Sequence, residues 1–234
     1  MKNISKTITS KKLFYAIIAL AGVTLASSCK KDDGYDFEGT VSAKVQLVNA
    51  SPGADAAKLY VADVLRTPNT VAYGSASGYN LCYAGQADVD VKSGDGTVLA
   101  TTNTEIDAAN SYTYFLSGAP GSQSVIVVHD DTEAASSGKA KVRFVQAASG
   151  YNTVDLAANG ITLFSEQNYK TSSNTAEVAA GAYIFTVANA GSSAALATSA
   201  SVNFEAGKNY TVYTRGMSGG TGASALAIGV LTVN

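Results

Sequence analysis

An eleven-residue stretch occurs twice in this chain and constrains its fold more than any other feature. Residues 43–53 read AKVQLVNASPG and residues 140–150 read AKVRFVQAASG, with six of eleven positions identical at a shift of 97 residues. Two shorter blocks return in the same order at shifts of 96 and 98: Ala84-Gly85 as Ala180-Gly181, and Tyr112-Thr113 as Tyr210-Thr211. The sequence therefore contains one module written twice, and a period this long is typical of tandem domains, not of a solenoid.

Apolar and polar residues alternate with a period of two inside both copies, which is the pattern of strands with one buried face. Val89 stands between two aspartates in the first copy, and Phe185 stands between Ile184 and Thr186 in the second. Turn-forming pairs such as Asn159-Gly160 separate these runs. We therefore predict an all-β fold with two tandem antiparallel β-sandwich domains of the immunoglobulin-like kind.

The predicted boundaries divide the chain into four parts. A charged run that begins at His129 separates the two copies. The parts are a signal peptide at residues 1–28, a flexible tether at 29–41, a first sandwich repeat at 42–133 and a second at 134–234. Each repeat is long enough to form a small sandwich with its own core.

Both copies resemble the bacterial domain-of-unknown-function family DUF4397, which occurs in tandem in surface lipoproteins. The resemblance rests on Ala50-Ser51-Pro52 in the first copy, and on Lys141-Val142-Arg143, Asp155 and Gly207–Thr211 in the second. Lys58 departs from the pattern, because an aspartate is usual near that position. The resemblance implies a fold but no activity, since the family has none assigned.

The N-terminus has the layout of an export signal. Four lysines precede an apolar run from Leu13 to Leu25, which is shorter than the about 20 residues that a membrane span needs. Small residues then run directly into Cys29 and resemble a lipobox, a signal in which the chain is cut before the cysteine and the thiol receives a diacylglyceryl group. We predict a lipoprotein held to the membrane through Cys29. The alternative is a plain secretory signal with an unrelated cysteine.

Four charged residues follow the predicted lipidation site: Lys30, Lys31, Asp32 and Asp33. They resemble the short tag that sends lipoproteins of some Gram-negative bacteria to the outer face of the outer membrane. The tag predicts a protein anchored in the outer membrane and facing the cell exterior. The alternative is a solvated spacer.

The charge balance argues against nucleic acid as a partner. Four of the sixteen bases precede Cys29 and none of the eighteen acids does, so the remainder has twelve bases, eighteen acids and a net charge of −6. Phosphate binding needs basic patches, which such a chain does not supply. Membrane attachment is therefore expected through lipid and not through anionic headgroups.

Few residues in the sequence suit catalysis or metal binding. His129 is the single histidine, and one of the two cysteines is the predicted lipid site. Neither a Ser-His-Asp triad nor a zinc cluster is expected from this inventory. The charged run 129–133 offers carboxylates to calcium, but it lacks the spacing of a calcium loop, and a solvated linker is favoured. We predict no catalytic residue, no metal and no cofactor.

Two other features have simpler interpretations than chemistry. Residues 216–220 match the letters of the Gly-x-Ser-x-Gly hydrolase motif but lie in a glycine-rich loop, away from the strand-to-helix turn that the motif requires. Cys82, between Leu81 and Tyr83, is expected to be a buried apolar residue.

Thirteen tyrosines and no tryptophan leave the tyrosines as candidates for ligand recognition. Five lie in loop-rich stretches and are candidate ligand contacts: Tyr73, Tyr79, Tyr83, Tyr151 and Tyr169. The expected partner is a glycan or an extracellular protein. The sequence thus predicts a non-enzymatic surface module for binding or adhesion. The alternatives are a passive envelope spacer and an envelope hydrolase.

Overall fold

The computed structural model describes residues 42–233, which form β-strands and one short 3-10 turn at Gly222–Ser224. The first copy of the repeat forms a first sandwich with strands β1 (Ser42–Asn49), β2 (Ala57–Val61), β3 (Val64–Leu65), β4 (Asn80–Tyr83), β5 (Gly85–Ser93), β6 (Val98–Ile106), β7 (Ser111–Ser117) and β8 (Ser124–His129). The second copy forms a second sandwich with β9 (Lys139–Val145), β10 (Thr153–Ala158), β11 (Ile161–Asn168), β12 (Ala176–Ala179), β13 (Gly181–Tyr183), β14 (Phe185–Asn189), β15 (Ala195–Thr198), β16 (Val202–Phe204), β17 (Asn209–Arg215) and β18 (Ala227–Val233).

Each sandwich contains two four-stranded sheets that enclose a separate core. In the first, a sheet of order β4-β1-β7-β8 faces one of order β3-β2-β5-β6, and Leu47 and Tyr114 meet Leu59 and Val89 between them. The alternating pattern selected these residues, because a period of two sends every second side chain to the same face. The predicted all-β architecture of two sandwich-like domains is confirmed.

The second sandwich repeats this plan with one modification. Sheets of order β12-β9-β17-β18 and β11-β10-β14-β15 enclose Phe144, Leu156 and Phe185, all fully buried. The long strand β5 of the first copy is divided here into β13 and β14, and β13 pairs with β16 in a small additional sheet. Phe204 of that sheet stacks on Tyr210 at a ring-centre distance of 4.0 Å.

One strand pair in each sandwich is parallel, whereas the other neighbouring strands pair antiparallel, as predicted. Strand β1 runs parallel to β7, with Lys44 opposite Ser111, and β9 runs parallel to β17, with Lys141 opposite Asn209. Parallel neighbours need a long crossover, and the intervening strands supply it by forming the opposite sheet. Alternation assigns residues to faces but does not give the direction of the neighbouring strand.

The two sandwiches pack against each other through the outer faces of the β1–β7 and β9–β17 sheets. A third apolar cluster lies there, and it combines Val48 and Phe115 of the first sandwich with Val145 and Tyr213 of the second. The rings of Phe115 and Tyr213 lie 5.4 Å apart. The sheets that hold these strands are therefore covered on both faces.

The two sandwiches have the same orientation, because their equivalent strands β7 and β17 begin at the same end of the molecule. Linker residues 130–131 hydrogen-bond to Ser111 O at the start of β7 (2.8 Å) and to Asn209 Nδ2 at the start of β17 (2.7 Å). At the opposite end, Ser117 Oγ of β7 donates to Ala147 O beyond β9 (2.7 Å). Strand β1 runs parallel to β7 and begins at the same end of the molecule. We call this end the Ser42 end and the opposite end the far end.

Several predicted features lie outside the described residues. These are the signal peptide at residues 1–28, the lipid site at Cys29, the tag at residues 30–33 and the rest of the tether to residue 41. In the described part of the chain, no helix has the length and apolar character that crossing a membrane would require.

Candidate functional site

The structure does not bring the five candidate tyrosines together. Tyr73, Tyr79 and Tyr169 lie at the contact between the sandwiches, whereas Tyr83 lies near the Ser42 end and Tyr151 at the far end. The phenol of Tyr79 donates to Asp130 Oδ2 at 2.8 Å, and burial raises its pKa. The Tyr169 phenol is 2.9 Å from Ser117 Oγ, and the Tyr73 ring lies under the Arg215 guanidinium at 5.2 Å.

Tyr151 borders an open groove of about 640 Å³ at the far end of the second sandwich. Three loops form it: the loop after β9, the loop between β14 and β15, and the loop after β17. Its lining includes Tyr151, Asn152, Thr153, Asn189, Leu196 and Ser218. A volume of this size falls within the range of about 300–1,000 Å³ that is usual for small-ligand sites.

Gly150 determines how closely two of these loops approach. It has φ of +80°, and a Cβ at this position would lie 2.7 Å from Ser218 Cβ. Only glycine adopts this conformation at little cost and leaves room for the crossing. Backbone bonds then join the loops, because Ser149 N donates to Gly216 O (3.1 Å) and Ser218 N donates to Ser149 O (2.8 Å).

Tyr151 is held in place from both sides. Its backbone carbonyl accepts a hydrogen bond from Gln146 Nε2 at 3.1 Å, and its half-buried ring packs on the core of the second sandwich. The neighbouring Asn152, Asn189 and Leu196 are exposed. The groove thus combines a fixed aromatic ring, an apolar side chain and amides that can both donate and accept hydrogen bonds.

The first sandwich does not repeat the lining of this groove. Gly53 corresponds to Gly150 at a shift of 97 residues, and a Cβ on it would lie 2.7 Å from Pro120 Cγ, so the same loop crossing is present. The position of Tyr151, however, is taken by Ala54, which is only 4% exposed. Asp55 stands where the second sandwich has Asn152. The aromatic and amide lining therefore belongs to the second copy alone.

A buried polar network connects the sandwiches near the Ser42 end. The Asp130 side chain is 0% exposed and forms an ion pair with Arg143. Its Oδ2 also accepts hydrogen bonds from Tyr79 OH (2.8 Å) and Thr113 Oγ1 (2.7 Å), and Thr113 Oγ1 accepts one from Gln46 Nε2 (2.9 Å). Asp130 is thus satisfied by groups from both copies of the repeat.

The rest of the Arg143 guanidinium is also satisfied. Its Nε donates to Thr211 Oγ1 at 2.9 Å and its Nη1 donates to His129 O at 2.6 Å. Burial lowers the pKa of Arg143 to about 10, which leaves the group charged at neutral pH. These contacts hold the two sandwiches in one arrangement.

The linker borders a second cleft, of about 630 Å³, that includes the carboxylates considered for calcium. Asp130 is directed at Arg143, and Asp131 forms an ion pair with Lys141 at 2.9 Å. Among the described residues, no group of three or more metal-binding side chains is close enough to hold an ion. Ser136 N of the linker donates a hydrogen bond to the Glu177 carboxylate at 2.8 Å. This bond lowers the pKa of Glu177 to about 2.

Three further sequence features have structural explanations: Cys82, the two aspartates that flank Val89, and the Gly216–Gly220 segment. Cys82 is a fully buried free thiol whose pKa is raised by burial. Asp88 and Asp90 accept hydrogen bonds from Asn103 Nδ2 (2.5 Å) and Thr101 Oγ1 (2.6 Å) on the outer face of the sheet. The Gly216–Gly220 segment forms a loop between β17 and β18, so it lacks the strand-to-helix turn of a hydrolase.

Sequence reasoning found Tyr151 but missed its neighbours in the groove. Asn152 could have been predicted as a further candidate, because it is polar and adjacent to Tyr151 in the sequence. Asn189, Leu196 and Ser218 come from the end of β14, from β15 and from the loop after β17, and no spacing in the sequence connects them with Tyr151.

The fold and its sites define a tandem β-sandwich protein with an open groove beside Tyr151 and a covered face between its halves. The chain belongs to the family described as "Domain of unknown function (DUF4397)", which matches residues 43–157 and 140–232. The resemblance read from the repeated motifs is therefore confirmed. No curated protein matches the chain.

Solved structures share only a distant similarity with the chain. A family 26 carbohydrate-binding module of Amy13K from Eubacterium rectale, solved with maltoheptaose, is 10% identical with a TM-score of 0.24, over 82% of this chain and 97% of that one. The Bacillus anthracis TIE protein is 10% identical with a TM-score of 0.21, over 82% and 44%. A candidate cell adhesion protein from Bacteroides uniformis is 11% identical with a TM-score of 0.17, over 83% and 97%. Similarities this low carry no argument about function.

Proposed function

We propose that the protein is a lipid-anchored envelope protein that binds a ligand, without catalysis, in the groove beside Tyr151. One observation supports this most directly. The groove is open, it is formed by three loops, and it lies at the far end, opposite to the end at which the chain leads from Cys29 into β1. The predicted lipid site precedes β1 in the sequence, so the groove does not lie at the end where the predicted tether joins the first sandwich.

The lining of the groove supports binding over hydrolysis. Glycoside hydrolysis uses a pair of carboxylic acids, and acyl transfer uses a nucleophile with an adjacent base. The described residues that line the groove are neutral, and their polar side chains are amides and hydroxyls. Such groups orient a ligand by hydrogen bonding but do not supply a general acid at neutral pH.

The anchor is tested by Cys29→Ala. We expect the mature protein to carry lipid on an N-terminal Cys29 and to fractionate with the outer membrane. The variant has no thiol at position 29 to receive lipid. Without the acyl chains that anchor the protein, it should leave the membrane fraction. Intact-mass measurement and protease shaving of whole cells provide the readouts. An unmodified Cys29, or a cut elsewhere, would contradict the anchor, and protection from shaving would contradict the outward orientation.

The groove is tested by Ala190→Trp, because this exposed residue borders the groove and an indole there would obstruct part of it. We expect loss of the ligand that the wild type retains in a screen of glycans and extracellular proteins. The matched control is Ala194→Trp, in the same loop but outside the lining. Equal retention by both variants would remove the groove as the site. A wild type that retains nothing would favour a passive spacer.

A further inference from the structure

The groove has the chemistry of a saccharide site, and this deepens the proposed function by naming its ligand class. Sugars present one apolar face of C–H groups and an edge of hydroxyls. Tyr151 offers a fixed ring, and Leu196, 37% exposed, adds a second apolar surface. Aromatic rings with a polar tip are suited to surfaces of this mixed kind.

Hydroxyl recognition needs groups that donate and accept at the same site. Asn152 and Asn189 each carry an amide that does both, and Ser218 carries a hydroxyl that also does both. All three are exposed around the groove: Asn152 and Ser218 lie in two different loops, and Asn189 is the last residue of β14. The backbone bonds that join Ser149 to the loop after β17 keep these two loops in register.

The described residues that line the groove carry no charge, and this favours some saccharides over others. A uronate, sialate or sulfate that enters the groove would give up part of its hydration without a cationic side chain to replace it, and this is costly. A neutral sugar has no such cost. We infer that the groove binds an uncharged oligosaccharide, with Tyr151 against a sugar face and Asn152 and Asn189 on its hydroxyls.

A peptide is the competing occupant, and the lining fits it less well. Protein interfaces place aromatic, methionine and arginine side chains in a buried central cluster. Here Tyr151 is the single aromatic residue among the described lining residues, and amides and hydroxyls surround it.

The test uses the mature chain on an array of neutral oligosaccharides and their counterparts with a uronic acid in place of a neutral sugar. We expect retention of a neutral member and markedly weaker retention of its acidic counterpart. The retained neutral oligosaccharide is then titrated by calorimetry. Asn152→Ala should weaken its binding about tenfold, which is ~1.4 kcal/mol. Asp55→Ala, at the equivalent position of the first sandwich, should leave binding unchanged.

The ring is tested separately. Tyr151→Phe keeps the stacking surface and should retain most of the affinity, whereas Tyr151→Leu should lose it. Melting curves identify any variant that has lost its fold, and Asn152→Ala stays informative in that case because Asn152 is exposed. Preference for acidic members, or neutral binding that Asn152→Ala leaves intact, would overturn the saccharide inference. If the wild type retains a peptide that Ala190→Trp does not, the saccharide inference is overturned but the proposed function stands. If the wild type retains no ligand at all, both the saccharide inference and the proposed function are overturned.

Discussion

Replacement of Arg143 by methionine is expected to lower the free energy of unfolding by about 3–5 kcal/mol. The substitution leaves Asp130, whose side chain is 0% exposed, as a buried carboxylate without its cationic partner. Tyr79 and Thr113 would still donate to that carboxylate, but neither can balance its charge. Because both partners lie between the sandwiches, we expect the loss to appear at the contact between them.

Denaturant melts of the variant and the wild type measure this effect. Lys141→Met is the matched control, since Lys141 lies on the same strand and pairs with Asp131, whose side chain is 32% exposed. A partly exposed pair contributes less than a fully buried one, so the control should lose less stability than Arg143→Met. The double variant Asp130→Asn with Arg143→Met should recover part of the stability, because no unbalanced charge remains buried. A loss in Arg143→Met no larger than in the control would refute the role given to the pair.

The Asp130–Arg143 pair also shows what the sequence alone could not predict. The period of two puts Arg143 and Gln46 on the strand faces opposite to Phe144 and Leu47, and alternation by itself predicts that such polar faces are exposed to solvent. Arg143 is only 6% exposed and Gln46 only 2%, because the outer faces of the two sheets cover each other. A period of two identifies a face of a strand and contains no information about what covers it.

The candidate site was predictable to a smaller extent than the fold. Repetition and alternation predicted the strands and the inward positions of Val89 and Phe185, both 0% exposed. The loop-rich contexts of Tyr79 and Tyr169 made them candidates for recognition, yet their phenols hydrogen-bond between the sandwiches. The residues that border the groove with Tyr151 come from segments far apart in the chain, so they became apparent only in the folded structure.

Val89→Asp is expected to unfold the first sandwich while the second stays folded. Val89 is fully buried in the first core, and an aspartate there would be a buried charge without a partner. The cost of several kcal/mol approaches the about 5–15 kcal/mol that stabilises a typical domain. The second core contains no residue of the first, so its own contacts survive.

The second sandwich should survive with reduced stability and not unchanged. Tyr213 and Val145 would lose their partners in the shared cluster, and Arg143 would lose the ordered Asp130. Phe185→Asp, at the equivalent inward position, should produce the converse result. Hydrogen–deuterium exchange resolved by peptide, with thermal melts of both variants, separates the two halves. Complete exchange of residues 139–233 in Val89→Asp would mean that the sandwiches fold only together, and that the shared face contributes more than the separate cores.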